Sequence, residues 1–276
     1  MSPLVYNTES ETLIHQTIGT LPHAILLEGV VGVGLFTLAK HIAGNDLADV
    51  IESTTIDGAL DKTSKGIIRT TQIRSLYEIT KGKSKQRRVY IIDEADKMNT
   101  TAQNAFLKLL EEPAVNVHFI LTTHTPHKLL LTILSRVQKL HIREASDSQS
   151  HELITALGVS DQRQVQQLLF MAGGRPAEIT RLTSNPAEFE KRVTYVTDAR
   201  TLLQGSINDK IKIANKYASD RAGALLLITN AQSILHFSIT NQPSREPILA
   251  ADKLATIYDR IAGNGNVRIQ LLSFVV

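Results

Sequence analysis

Short apolar runs alternate with helical periodicity through the first half of the chain. Residues 24–28 (AILLE) read as a buried strand, followed by a glycine-rich turn and a helical stretch around 34–43. Residues 89–92 (VYII) and 119–121 (FIL) are continuous apolar runs, and 138–142 (QKLHI) alternates. Continuous apolar runs between helices predict a parallel sheet covered on both faces, an α/β fold. After VYII, Ala102, Ala105, Phe106, Leu109 and Leu110 fall at i, i+3, i+4, i+7 and i+8, one face of a helix. Thr100 and Gln103 match a capping box, and Pro113 closes the helix.

The pattern changes near residue 144. Residues 145–150 (ASDSQS) are small and polar and read as a linker. Beyond them only helical periodicity is found, at about 148–157, 161–171, 176–183, 186–204, 209–218, 220–240 and 249–262, with a turn at Gly205 to Asp209. Gly58 to Gly66 and Lys81 to Arg88 are expected loops, and no internal repeat is evident.

Composition narrows the class. With 42% hydrophobic and 21% charged residues, the 276-residue chain is not a disordered one. It has no cysteine, which removes disulfides, thiolate zinc sites and a cysteine nucleophile and suits a reducing cytoplasm. A net charge of +3 does not by itself argue for nucleic acid. The start lacks the pattern of a signal peptide, and no stretch reaches about 18 uncharged apolar residues, so a cytoplasmic chain without a membrane partner is expected.

Two segments carry candidate chemistry. Residues 29–37 (GVVGVGLFT) stand where a phosphate loop, Gly-x4-Gly-Lys-[Ser/Thr], belongs. Gly29 and Gly34 have the right spacing and Gly32 lies between them, but Leu35 holds the lysine position and Phe36 the hydroxyl position; Thr37 comes one place late. The lysine would meet the β- and γ-phosphates and the hydroxyl would hold magnesium. Without them, either backbone amides and a helix N-terminus alone bind an anion, or the glycines make a tight strand-to-helix turn. Residues 89–96 (VYIIDEAD) put Asp93 and Glu94 at the C-terminal end of a strand, where ligands of parallel sheets sit. In an NTPase, Asp93 would hold magnesium and Glu94 would orient the attacking water. Carboxylates are also common wherever a strand gives way to a helix.

The segments LPHAILLEG (21–29), DEADKMNTTAQNAFLKLLEEP (93–113) and FILTTHTPHKLLLTILSR (119–136) resemble bacterial DNA polymerase III clamp-loader subunits of the AAA+ class, delta-prime type. The resemblance covers about the first 180 residues. It implies a RecA-like α/β domain at 1–143, a helical lid at 144–184 and a helical collar domain at 185–276. It matches Ser135-Arg136-Val137 to the family's Ser-Arg-Cys motif, which makes Arg136 an arginine finger inserted into a neighbouring subunit's ATP site. It sets Thr123 at the sensor-1 position and Arg175, in Gly173-Gly174-Arg175-Pro176, in the sensor-2 region. The implied chain is a non-hydrolysing stator that binds no cofactor itself, with ATP and magnesium in the neighbour. The implied partners are gamma/tau-like ATPase subunits, a delta-like subunit and, through the complex, the sliding clamp and primed DNA. The chain departs from the family in two ways: the four-cysteine zinc module cannot be built, residues 45–70 being shortened and polar, and Asp93-Glu94 is kept. Rival readings are an ATPase subunit of the gamma/tau type with a degenerate phosphate loop, an AAA+ adaptor in DNA repair, and a helical interaction module on an inert scaffold.

Two further features read more plainly. Lys81, Lys83, Lys85, Arg87 and Arg88 suit phosphate contacts but also a solvated loop, since aromatics are not interleaved. His118, His124 and His127 lack a metal-binding spacing and read as surface or strand-end histidines.

Overall fold

In the computed structural model, which describes residues 5–54, 66–82, 85–241 and 244–275, the apolar runs become a five-stranded sheet. Its strands are β1 (Ala24–Gly29), β2 (Leu47–Ile51), β3 (Arg88–Ile92), β4 (Val117–Thr123) and β5 (Gln138–Ile142). The order is β2-β3-β4-β1-β5 and every pairing is parallel. Although the runs look uniformly apolar, alternate residues serve different faces. Leu26, Tyr90, Ile92, Phe119 and Leu121 share one core cluster with α3 (Thr70–Thr80) and α4 (Thr100–Glu111). Ile25, Leu27, Val89, Ile91, Ile120 and Leu140 share another with α1 (Thr8–Gly19) and α2 (Leu35–Ala43). β2 was not expected, because an edge strand with Ala48 and Asp49 exposed carries no continuous apolar run.

The helix after β3 corrects its expected start. Asn99, not Thr100, is the cap: its Oδ1 accepts from the Ala102 N–H at 2.8 Å. Asn serves there as well as Thr would. Gln103, expected to close a capping box, is buried instead. Its Nε2 donates to Met98 O (3.1 Å) and Lys128 O (3.2 Å), and its Oε1 accepts from the Leu130 N–H (2.8 Å). It thereby ties α4 to the segment leading into the one-turn helix α5 (Leu131–Leu134).

The helix expected at about 148–157 is present, and the linker expected at 145–150 is shorter than read. Residues 147–150 begin α6 (Asp147–Ala156), and the small polar residues are its cap, with Ser146 and Gln149 forming a capping box. Helices α7 (Gln162–Ala172) and α8 (Pro176–Ser184) follow.

The chain divides into two compact units, Met1–Ser184 and Asn185–Val276. The second is all helical: α9 (Pro186–Gln204), α10 (Ile207–Lys216), α11 (Arg221–Asn241), α12 (Arg245–Ala262) and α13 (Val267–Val275). Its core gathers Leu202, Leu227, Ile228, Leu254, Ile257 and Leu271. Residues 221–240 of α11 are long and apolar enough to cross a membrane by length and composition. Ala224, Leu227, Ile228 and Ala231 on that helix are buried in the unit's own core, which accounts for their character.

Candidate functional site

The glycine loop leaves the C-terminal end of β1. A Cβ at Gly29 would lie 2.7 Å from Ile142 O, so only glycine fits beside β5. Gly34 caps α2 in a left-handed conformation (φ 98°). Val33 (1% exposed) and Leu35 (2%) are core residues, packed with Tyr6, Ile25, Leu27 and Leu38. The side chain at the lysine position is thus spent on packing rather than turned toward a ligand. Phe36 packs on the same cluster under Lys40, whose Nζ stands 4.1 Å from the ring centre, and Thr37 is exposed.

Gly32 (φ 92°) meets the first turn of α8. Its carbonyl accepts from the N–H groups of Ala177 (2.9 Å) and Glu178 (3.2 Å). Helix N-terminal amides have no partner within the helix and commonly bind anions; here a loop carbonyl takes two of them. A Cβ at Gly32 would lie 3.0 Å from Glu178 Cβ and 3.4 Å from Arg175 Cβ. Arg175 lies against this loop, but its guanidinium Nη2 donates to Met171 O, at the end of α7.

The acidic strand end is built around Thr122. Its hydroxyl donates to Asp93 Oδ1 (2.7 Å) and accepts from the Glu94 N–H (2.9 Å). Burial pushes the Asp93 carboxyl above its ordinary value; the Thr122 hydroxyl opposes the shift, and Glu94 and Glu52 add to it. Glu94 sits at φ 50° and pairs with Lys97 at 2.6 Å. Thr123, the residue matched to sensor 1, donates instead to Asp96 Oδ1 (2.7 Å). Thr122 was missed by sequence reading although strand periodicity could have found it. Ile91 pairs with Ile120, so the next residues on that face are Asp93 and Thr122. His124, read as a surface or strand-end histidine, follows β4 directly, and its Nδ1–H donates to Gly29 O (2.8 Å), joining the end of β4 to the loop.

The fold therefore brings the loop, Asp93 and Arg175 toward one edge of the sheet, but it sets Arg136 elsewhere. Arg136 precedes β5, and β5 runs parallel to β1 with Gln138 beside Ile25 and Ile142 beside Gly29. The five residues of β5 span roughly 16 Å, which separates Arg136 from its own chain's loop. The Arg136 side chain is 38% exposed. It reaches Glu111 Oε1 at 3.0 Å, Thr132 O at 3.0 Å and Ser135 Oγ at 3.4 Å. The Ser135 hydroxyl donates to Thr132 O (3.1 Å). Val137 is buried in the sheet core, so the third motif position asks for an apolar side chain of modest size.

In the basic segment, Lys81 pairs with Glu78 (2.9 Å), Arg87 donates to Asp46 (2.6 Å) and Arg88 to Gly82 O (3.4 Å). Lys83 lies outside the described residues, as does the expected Gly58–Gly66 loop apart from Gly66. The His118 ring Nδ1–H donates to Pro22 O at 2.9 Å, and His127 falls in a single 3-10 turn. Among the described residues no group of three or more His, Asp or Glu side chains could hold a metal ion.

The loop's chemistry does not fit a triphosphate with magnesium. Leu35 and Phe36 stand where the motif needs a lysine and a hydroxyl, Leu35 is turned into the core, and Glu94 is engaged by Lys97.

Comparison with known proteins gives the relationship. A family model described as DNA polymerase III, delta subunit, matches residues 45–146. DNA polymerase III subunit delta' of Pseudomonas aeruginosa is 30% identical over 206 residues, covering 67% of this chain and 62% of that protein. Subunit tau of Bacillus subtilis is 30% identical over 174 residues, covering 61% of this chain and 30% of that one. The chain thus spans less than two thirds of the length of these curated relatives. Among solved structures, a DNA polymerase III gamma subunit-related protein of Thermotoga maritima superposes with a TM-score of 0.51 at 18% identity, over 96% of this chain and 97% of that one. The Holliday junction branch migration motor RuvB of the same organism gives 0.52 at 16%, over 95% and 90%. At these identities the superpositions speak for the fold alone. In sequence the chain is similar to the bacterial DNA polymerase III subunits delta' and tau, and it shares the fold of the gamma subunit-related protein and of RuvB.

Proposed function

We propose that this chain is a delta-prime-like subunit of a cytoplasmic clamp loader that does not hydrolyse ATP itself and completes a neighbour's ATP site with Arg136. The observation that carries the reading is the glycine loop, whose lysine position holds Leu35 turned into the core and whose Gly32 carbonyl is bonded to the first turn of α8. A loop that lacks the lysine and gives its carbonyl to a neighbouring helix in this way supports a structural part rather than a phosphate cradle. Arg136 supports the other half of the reading. It is a partly exposed guanidinium at the opposite sheet edge from its own loop, so its use lies with another chain. There it would stabilise the charge that develops on the transferred phosphoryl group, an effect worth about 10³–10⁵ in rate for GTPases. ATP and magnesium belong to that neighbour, a gamma/tau-like subunit. A delta-like subunit, the sliding clamp and primed DNA complete the proposed assembly.

The test has two arms. The isolated chain is expected to bind no ATP at about 1 mM by calorimetry, a concentration at which even weak sites fill. In the reconstituted complex, Arg136→Ala is expected to slow ATP turnover by at least a hundredfold, the scale of a lost finger. Binding by the isolated chain together with an unchanged complex would sink the proposal. A hydrolysing subunit of the tau type draws support from the Asp93–Thr122 hydrogen bond, which keeps a carboxylate at the strand end. It requires that the isolated chain hydrolyse ATP and that Asp93→Asn abolish the turnover.

A further inference from the structure

We propose that Glu111 is the positioning residue for Arg136; the assignment rests on the reading of Arg136 as a finger. Glu111 is the last residue of α4, and its Oε1 lies 3.0 Å from Arg136 Nη2. A carboxylate at a helix C-terminus opposes the helix dipole, so α4 gains nothing from Glu111 on its own account. What Glu111 serves is the guanidinium.

The support beneath the pair is rigid at both ends. Phe106, Leu109 and Leu110 bury α4 against the sheet. Gln103, near the start of the helix, bonds Lys128 O and the Leu130 N–H, which lead directly into α5. Arg136 follows α5, with its own N–H donating to Ile133 O (2.9 Å). The side chain then has three holds: Glu111, Thr132 O and Ser135 Oγ. A guanidinium has five N–H donors, so at least two remain free to meet a phosphoryl oxygen. Arg side chains carry large rotamer freedom, and holding one in place before the neighbour arrives removes part of the ordering cost at the step that matters.

The pair is half-exposed (38% for Arg136, 50% for Glu111), and exposed ion pairs are weak. The expected effect is accordingly small: in the reconstituted complex Glu111→Ala lowers kcat for ATP about two- to fivefold and leaves KM unchanged. Glu111→Gln, which keeps an acceptor oxygen, recovers most of the loss. In a double-mutant cycle, Glu111→Ala adds nothing once Arg136→Ala is present. A general structural role would add in the cycle and would not be rescued by Gln. If Arg136→Ala is slow while Glu111→Ala matches the wild type, Glu111 is not the positioning residue and the finger reading stands. Glu111 likewise loses the assignment if its replacement disrupts assembly of the complex, or if the double variant is slower than Arg136→Ala. If Arg136→Ala is itself silent, both assignments fall together.

Discussion

Asp93 and Thr122 share a side-chain hydrogen bond that joins the ends of β3 and β4 at the candidate site. Because burial raises the Asp93 carboxyl above its unfolded value, ionisation works against the fold. The stability linked to this group is complete below the ordinary Asp range and is lost as pH rises through the raised value. Asp93→Asn keeps an oxygen to accept from Thr122 and carries no charge. It is expected to be more stable than the wild type at pH 7 in urea titrations, with the gap closing as the pH falls below about 4. At Gly32 the expectation is opposite. Alanine there must adopt φ near 92° and bring its Cβ to 3.0 Å from Glu178 Cβ. Gly32→Ala should cost about 1–3 kcal/mol and speed hydrogen exchange at the Ala177 and Glu178 amides. Equal exchange rates in the two proteins would count against the loop–helix contact. Sequence showed Asp93, Glu94 and the missing lysine directly. It did not show that Leu35 turns into the core or that Glu94 is held by Lys97, because both depend on which neighbours three-dimensional packing supplies.

The elements were legible where burial is one-sided or complete. The runs at 24–28, 89–92, 119–121 and 138–142 all became strands, and the apolar stripe of α4 is the stripe that packs. β2 was lost because an edge strand needs few apolar residues, and α1 because its buried face includes Ser10 and Thr17 beside Ile14. The linker read at 145–150 overlaps the start of α6, a helix expected from about 148, because a capping box and a linker draw on the same small polar residues. The cap of α4 offers a clean check: Asn99→Ala should lose about 1 kcal/mol in chemical denaturation, and Thr100→Ala much less. In the core, Phe106 stands edge-on to Phe119 with ring centres 5.3 Å apart. Phe106→Ala should cost about 3–5 kcal/mol, the usual range for an emptied aromatic site. A loss under about 1 kcal/mol would mean that α4 does not rest on that ring.

At the scale of the whole chain, the two sheet edges of the first unit have different chemistry. At the loop edge Leu35 is turned into the core and Gly32 O holds the first turn of α8, and the other edge presents Arg136 on Glu111. Proteins that associate head to tail repeat one heterologous contact until a ring closes or the series stops. A chain whose two edges differ in this way would, on the proposed reading, give such a series a direction. On the proposed reading it stands at one end of a row of cooperating subunits, lending a charge to the next. On that reading the loop amounts to punctuation: it fixes where a row of working sites begins.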